Sequence, residues 1–265
     1  MKNSRNNHTI NKSRNRKVAQ ERRRIAFKVL VLSLAFLTLF LLHDLYVYKT
    51  DSKIDPNDPY PVMGVDVSSY QKDIDWVGLE SEGVEFAFIK ATEGSKHIDG
   101  RFEYNWEEAH KTRMKVGAYH FLSFDSKGSS QVSNFTKTVN RKWGMLPPVV
   151  DVELYGDYLD TPPKAQKVQK ILDEVLQGLE KKYHKKPIIY TNTYVYELYI
   201  SKEYKDYSIW LSNPDIPKKL PDGKRWTFCQ YTFEGISKYV ANGEKYVDFN
   251  VFYGSKWDFK KYKGR

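Results

Sequence analysis

The sequence predicts an α/β protein: a (β/α)8-like barrel with an irregular, partly antiparallel C-terminal half, preceded by one N-terminal transmembrane helix. Three observations lead there. Eight short apolar or β-branched segments follow residue 61, and the first five alternate with segments of helical spacing. The connections among the last three are too short or too irregular for full crossover helices, so the late part reads as antiparallel. Ahead of all this, residues 25–42 are apolar except for Lys28, Ser33 and Thr38.

That apolar character continues past His43 and Asp44 to Tyr48, so 29–47 approaches the roughly 20 helical residues that span a bilayer. No small-residue cleavage site or lipobox cysteine follows, which favours an uncleaved signal-anchor over a signal peptide. Residues 1–50 hold eleven Lys/Arg against only Glu21 and Asp44, most of them before the apolar run. The positive-inside rule then places the N-terminus in the cytoplasm and the rest outside the cell membrane, with Tyr46 and Tyr48 at the outer interface. Although the chain carries a formal +10, the part beyond residue 50 is close to neutral. The basic excess therefore reads as a topology signal, and no nucleic-acid partner is expected. The expected organisation is a basic tail (1–24), the anchor (25–48), a linker with three prolines (49–61), and one folded domain (62–265), monomeric.

Within the domain, strands are expected at 62–68, 83–91, 115–121, 148–154, 187–191, 207–211, 226–231 and 246–251. Helical segments are expected at 101–113, 130–140 and 163–183. In the last of these, Val168, Ile171, Leu172, Val175, Leu176 and Leu179 recur every three or four residues, with Pro near the start. Cys229 is the sole cysteine and sits in an apolar strand, so no intrachain disulfide and no zinc site are expected. No metal or other cofactor is read from the sequence.

The fourth strand carries the chemistry. Leu146-Pro147-Pro148-Val149-Val150-Asp151-Val152-Glu153-Leu154 runs from a Pro turn into a β-branched segment interrupted by two acids at i and i+2. Strand side chains alternate, so Asp151 and Glu153 point the same way, with their Cα atoms roughly 7 Å apart. Two carboxylates on one buried face are costly unless cations neutralise them or they form a site. In a closed barrel the first and eighth strands are neighbours, which brings Asp66 beside Asp248 while Asp151 and Glu153 approach from the opposite wall. Four carboxylates then meet at the C-terminal mouth, where such barrels keep their chemistry.

The motifs resemble glycoside hydrolase family 25, the N-acetylmuramidase type of lysozyme, over about residues 62–254. The blocks occur in order: Gly64-Val65-Asp66-Val67-Ser68-Ser69-Tyr70-Gln71, Phe86-Ala87-Phe88-Ile89-Lys90-Ala91-Thr92-Glu93-Gly94 and Gly117-Ala118-Tyr119-His120-Phe121. Pro147-Pro148-Val149-Val150-Asp151-Val152-Glu153, Pro187-Ile188-Ile189-Tyr190-Thr191, Ile209-Trp210-Leu211, Phe228-Cys229-Gln230-Tyr231-Thr232 and Val247-Asp248-Phe249-Asn250-Val251-Phe252 follow. The resemblance implies hydrolysis of the β-1,4 bond between N-acetylmuramic acid and N-acetylglucosamine in peptidoglycan, with Asp66, Asp151, Glu153 and Asp248 as catalytic residues. Glu153 would be the general acid, kept protonated by its like-charged neighbours. Asp151 would either attack the anomeric carbon or orient the sugar's own acetamido group.

Tyr70, Lys90, Glu93, Tyr119, Tyr190, Trp210, Gln230, Tyr231 and Asn250 lie at or near strand ends and are the expected substrate-binding residues. Aromatic faces suit sugar rings, and amides suit N-acetyl groups. Lys90 and Glu93 also suit an ion pair, Phe121 suits core packing, and His120 a satisfied buried imidazole. Asp73, Asp75 and Asp99 read as turn or cap residues. The segment 232–245 is more charged than the family's pattern, and no wall-binding repeat accompanies the domain, leaving localisation to the membrane anchor. A catalytically silent glycan-binding module is the alternative, and all four acids being present weighs against it. A chitinase lacks support because the run of alternate aspartates before the glutamate is missing. A metal-dependent deacetylase lacks it because no His pair accompanies the acids.

Overall fold

The computed structural model describes residues 26–42, 59–240 and 246–264. The chain divides into two units, 1–53 and 54–265. In the first, α1 (26–42) is a helix whose side chains are exposed on every side, Phe27, Leu32, Phe36 and Leu39 among them. Among the described residues no helix is long and apolar enough to cross a membrane. The rest of the expected 25–48 span, the basic tail and most of the 49–61 linker lie outside the described residues.

The second unit is a closed barrel. Its strands are β1 (Met63–Val67), β2 (Val84–Glu93), β4 (Lys115–Phe121), β5 (Val149–Asp151), β6 (Ile188–Asn192), β7 (Ser208–Ser212), β8 (Phe228–Gly235) and β9 (Val247–Phe252), with the short β3 (His97–Ile98) paired to the end of β2. β3 is antiparallel to β2 and stands outside the ring, whose neighbours from β1 through β8 are all parallel. Of the ring strands only β9 runs the other way, antiparallel to both β8 and β1, and the β1–β2 pairing closes the ring. The expected antiparallel half thus shrinks to one strand. β7 and β8 stay parallel although no helix joins them, because the irregular stretch between them is long enough to return the chain across the barrel.

Helices α2 (Trp76–Ser81), α3 (Phe102–Ala109), α4 (Gly128–Thr138) and α5 (Ala165–Tyr183) pack outside. Asp75 caps α2, accepting from the Gly78 amide at 2.9 Å. The expected stripe on α5 buries Val168, Leu172, Val175, Leu176 and Leu179, and His184 in the left-handed region ends it. The short α6 (Thr193–Val195) continues into a π-helical turn at Tyr196–Ile200, and α7 (Lys256–Lys261) closes the chain. The sequence reading contained neither α2, α6 nor α7, all too short to show a full apolar repeat.

Alternation sorts the strand residues into two cores. Val65, Val67, Ala87, Ile89, Val116, Ala118 and Ile209 face the helices. Phe86, Phe88, Val149, Ile188, Trp210, Phe228 and Phe252 fill the barrel with Phe259 of α7, which seals the end where the parallel strands begin. Lys115, at the start of β4, holds that seal by donating to the Phe259 and Lys260 carbonyls at 2.6 and 2.9 Å.

Rings this large fit because their neighbours lack side chains. A Cβ on Gly64 would lie 2.3 Å from the Phe86 ring, and one on Gly117 would lie 2.7 Å from Phe88. Gly64→Ala is therefore expected to destabilise the domain by about 1–3 kcal/mol through overpacking, read as a lower urea midpoint at unchanged slope.

Candidate active site

At the mouth, each wall contributes inward-facing residues from near the end of its strand. Asp66 follows Gly64 by two on β1, Lys90 follows Phe88 on β2, and Tyr119 and Phe121 follow Gly117 on β4. Asp151 ends β5, Tyr190 ends the inward series of β6, and Trp210 and Gln230 come from β7 and β8. Asp248 reaches the same level only because β9 is reversed: it stands directly opposite Asp66 in the antiparallel register. Together with Glu153 and Phe233 these residues line one cleft.

The fourth strand is shorter than expected and stops at Asp151. Val152 still donates to the Tyr190 carbonyl at 2.9 Å, so the chain stays extended and Glu153 faces the cleft beside Asp151. Glu153 is thus held by a loop continuing the strand and is less enclosed than Asp151.

Asp66 is fixed by amides. Gln230 Nε2 and Asn250 Nδ2 donate to its Oδ2 at 2.9 and 2.7 Å, and the same Gln230 nitrogen lies 3.3 Å from Asp248 Oδ2. Both amides are in turn oriented: Tyr190 Oη donates to Gln230 Oε1 and Trp210 Nε1 to Asn250 Oδ1, each at 2.7 Å. Every donor and acceptor in this chain has one assigned direction, which locks the side chains in place.

The acids are charged only at a cost. Burial, then the neighbouring Asp248 charge, pushes the Asp66 carboxyl well above the usual range against the pull of its two amides. Burial and then Glu153 do the same to Asp151, whose buried Oδ1 has no hydrogen-bond partner. Glu153 is raised first by burial and second by Asp248, so desolvation outweighs the like-charge repulsion expected from the sequence. Lys90 opposes the shift at Asp151 and Glu153 and pairs with Glu93 at 2.8 Å. Burial also raises the Tyr119 and Tyr190 phenols, which stay neutral donors.

Nine of the thirteen sequence-derived site residues line the cleft: the four acids with Lys90, Tyr119, Tyr190, Trp210 and Gln230. Asn250 sits one layer below, fully buried, holding Asp66. Glu93 reaches the site through Lys90. Tyr70 is exposed on the turn Ser69–Gln71 after β1, outside the lining. Tyr231 is likewise outside, because alternation with Gln230 turns it towards the outer core. Phe121 lines the cleft instead of packing in the core, with Lys90 5.3 Å from its ring centroid. Phe233 went unrecognised: register shifts on either side of Thr232 break the alternation that would have placed it.

The remaining polar expectations fall outside the cleft. His120 points away from it, with Nδ1 2.7 Å from Thr92 Oγ1 and Nε2 2.9 Å from Gln131 Oε1, and burial lowers its pKa to about 4. Asp99 accepts from the Ser69 and Arg101 amides at 2.9 Å, and Asp73 pairs with Arg101. Cys229 is buried, its thiol pushed up to about 12 by desolvation.

Residues 65–240 match the family described as Glycosyl hydrolases family 25. The chain belongs to that family. As a family 25 lysozyme it is a glycoside hydrolase. Its barrel is similar to that of a family 25 glycosyl hydrolase from Bacillus anthracis, at 46% identity and a TM-score of 0.74, covering 80% of this chain and 97% of that one. A lysozyme structure from Streptomyces coelicolor is similar at 27% identity and a TM-score of 0.65, covering 74% and 93% of the two chains. Lysozyme M1 of Streptomyces globisporus is 29% identical over 221 residues, 76% of this chain and 71% of that protein. YegX of Escherichia coli K12 is 35% identical over 201 residues, 74% and 71%.

The raised Asp151 carboxyl has a consequence for stability. A carboxylate with its folded pKa above its unfolded value loses its stabilising contribution as pH rises from about 4 through the folded pKa. Asp151→Asn in this family 25 enzyme is therefore expected to raise the melting temperature at pH 7 by about 2–4 °C, roughly 1 kcal/mol, with the gain vanishing near pH 4 in calorimetric scans.

Proposed function

We propose that this family 25 enzyme is a membrane-anchored muramidase that cleaves the β-1,4 bond between N-acetylmuramic acid and N-acetylglucosamine in bacterial peptidoglycan. The observation that carries the reading is the convergence of Asp66, Asp151, Glu153 and Asp248 on one cleft walled by Tyr119, Phe121, Trp210 and Phe233. Rings of this kind stack on sugar faces, and Lys90 offers a donor to acetamido and carboxyl oxygens. The relatives named lysozyme support the substrate.

Glu153 is the general acid. Its raised pKa keeps its proton to higher pH than an ordinary glutamate does, and its position beyond the strand end leaves it more open to a glycosidic oxygen than Asp151. Asp151 serves the anomeric centre, either as nucleophile or by accepting from the acetamido N–H while that group's carbonyl oxygen closes on C1 and the leaving oxygen departs with the proton from Glu153. Its unpartnered Oδ1 suits either task. The Asp66–Asp248 pair, tied by Gln230, supplies negative potential against the oxocarbenium-like charge on the sugar through whichever member is ionised. Anchoring is supported by α1, which is apolar on all sides and exposed, and by the Lys/Arg-rich stretch that precedes it.

Incubated with purified peptidoglycan, the enzyme is expected to release fragments with reducing N-acetylmuramic acid ends. Glu153→Gln should lower the rate by about 10²–10⁴-fold without weakening glycan binding. Release of nothing by the wild type, with binding intact, would favour the silent binding module. The pH profile tests the electrostatics separately. A general acid works while protonated, so activity falls as pH rises through the Glu153 pKa. Asp248→Asn removes a charge that raises that pKa and should move the alkaline limb to lower pH.

A further inference from the structure

The two ends of the barrel differ in charge. The mouth holds the four acids, whereas the end where the parallel strands begin brings Arg141, Lys185, Lys263 and the half-buried Lys115 within electrostatic reach of one another, the acids Glu80 and Glu85 of that end being paired with Arg113 and Lys256. The C-terminal tail crosses this end so closely that a Cβ on Gly264 would come within 2.6 Å of Pro147. Lys185 donates to the Met145 carbonyl in the loop leading into β5. The neighbouring charges that act most on Lys115 and Lys185 are all cationic, and they join burial in lowering Lys115 to about 8.

On that same loop Trp143 is 100% exposed, the only large hydrophobic side chain of the barrel unit so fully open to water among the described residues. Indole is an amphipathic ring that gains most at a boundary between apolar and wet surroundings, and cations beside it suit phosphate headgroups. β1 also starts at this end, at Met63.

We propose that this end of the barrel docks on an anionic lipid surface, with Trp143 in the headgroup layer and Arg141, Lys185 and Lys263 over the phosphates. The docking holds the cleft away from the membrane and towards the wall. It rests on the membrane-anchor reading above and adds an orientation to it.

All six tryptophans lie beyond residue 75, so α1 adds nothing to indole fluorescence. The full chain is reconstituted in nanodiscs containing either phosphatidylglycerol or only phosphatidylcholine, with lipids brominated near the headgroup. The expected result is a quenching component in wild type on phosphatidylglycerol that is lost in Trp143→Phe, in Arg141→Gln/Lys263→Gln, and on phosphatidylcholine. Incorporation with equal quenching in wild type and Trp143→Phe overturns the docking surface and leaves the anchor standing. Failure of the chain to incorporate overturns both. A Trp143 response to soluble poly(glycerol phosphate) without one to the lipid assigns the surface to a wall polyanion and overturns the lipid proposal.

Discussion

Asp66 and Asp248 face each other across an antiparallel pair, and the rest of the cleft depends on that pairing. Had β9 run parallel to its neighbours, Asp248 near its start would lie at the end where the other strands begin, on the level of Phe86. Reversal lifts it to the mouth. Two carboxylates so placed repel, and the fold answers with a shared amide: Gln230 donates to both, and Asn250 adds a second donor to Asp66. Those amides are oriented by Tyr190 and Trp210, so cleft wall and acid positions form one hydrogen-bonded unit.

The electrostatic result is a site that resists full ionisation. Burial is the largest cause at Asp66, Asp151 and Glu153, and mutual repulsion adds to it. Lys90 limits the shift on the β5 side, while its own link to Glu93 keeps it from neutralising the pair completely. Carboxyls that hold their protons above the ordinary carboxylate range suit acid-catalysed glycoside cleavage, and they are also a local burden on folding. The barrel below, packed with rings over Gly64 and Gly117 and closed by α7, is the rigid support that holds such a site together.

Much of this was legible in the residues. The i, i+2 acids at 151 and 153, and the single acids near the ends of the first and last strands, identified the cleft because strand alternation is strict and buried charge is rare. The same alternation, applied literally, would have placed Phe121 beside Tyr119 and turned Tyr231 away from Gln230. Residue type obscured both, since Phe suggests core and Tyr suggests sugar. Phe233 was out of reach, because a bulge around Thr232 leaves no mark in composition. The strand at 148–154 proved only three residues long, as ladder pairing depends on neighbours that one segment does not reveal. Asn250 was noticed as a ligand for substrate but serves as a tether for Asp66, a distinction that only three-dimensional contact supplies.

The central claim is that a buried ring of carboxyls at the barrel mouth holds protons above their ordinary range. Carbon-13 NMR titration of the side-chain carboxyls, with Asp66, Asp151 and Glu153 assigned through their Asn and Gln variants, measures it directly. The account predicts that all three titrate above ordinary aspartate and glutamate, with Asp66 sensitive to loss of Asp248. Complete ionisation of all three by about pH 4.5, near the reference range, would contradict it.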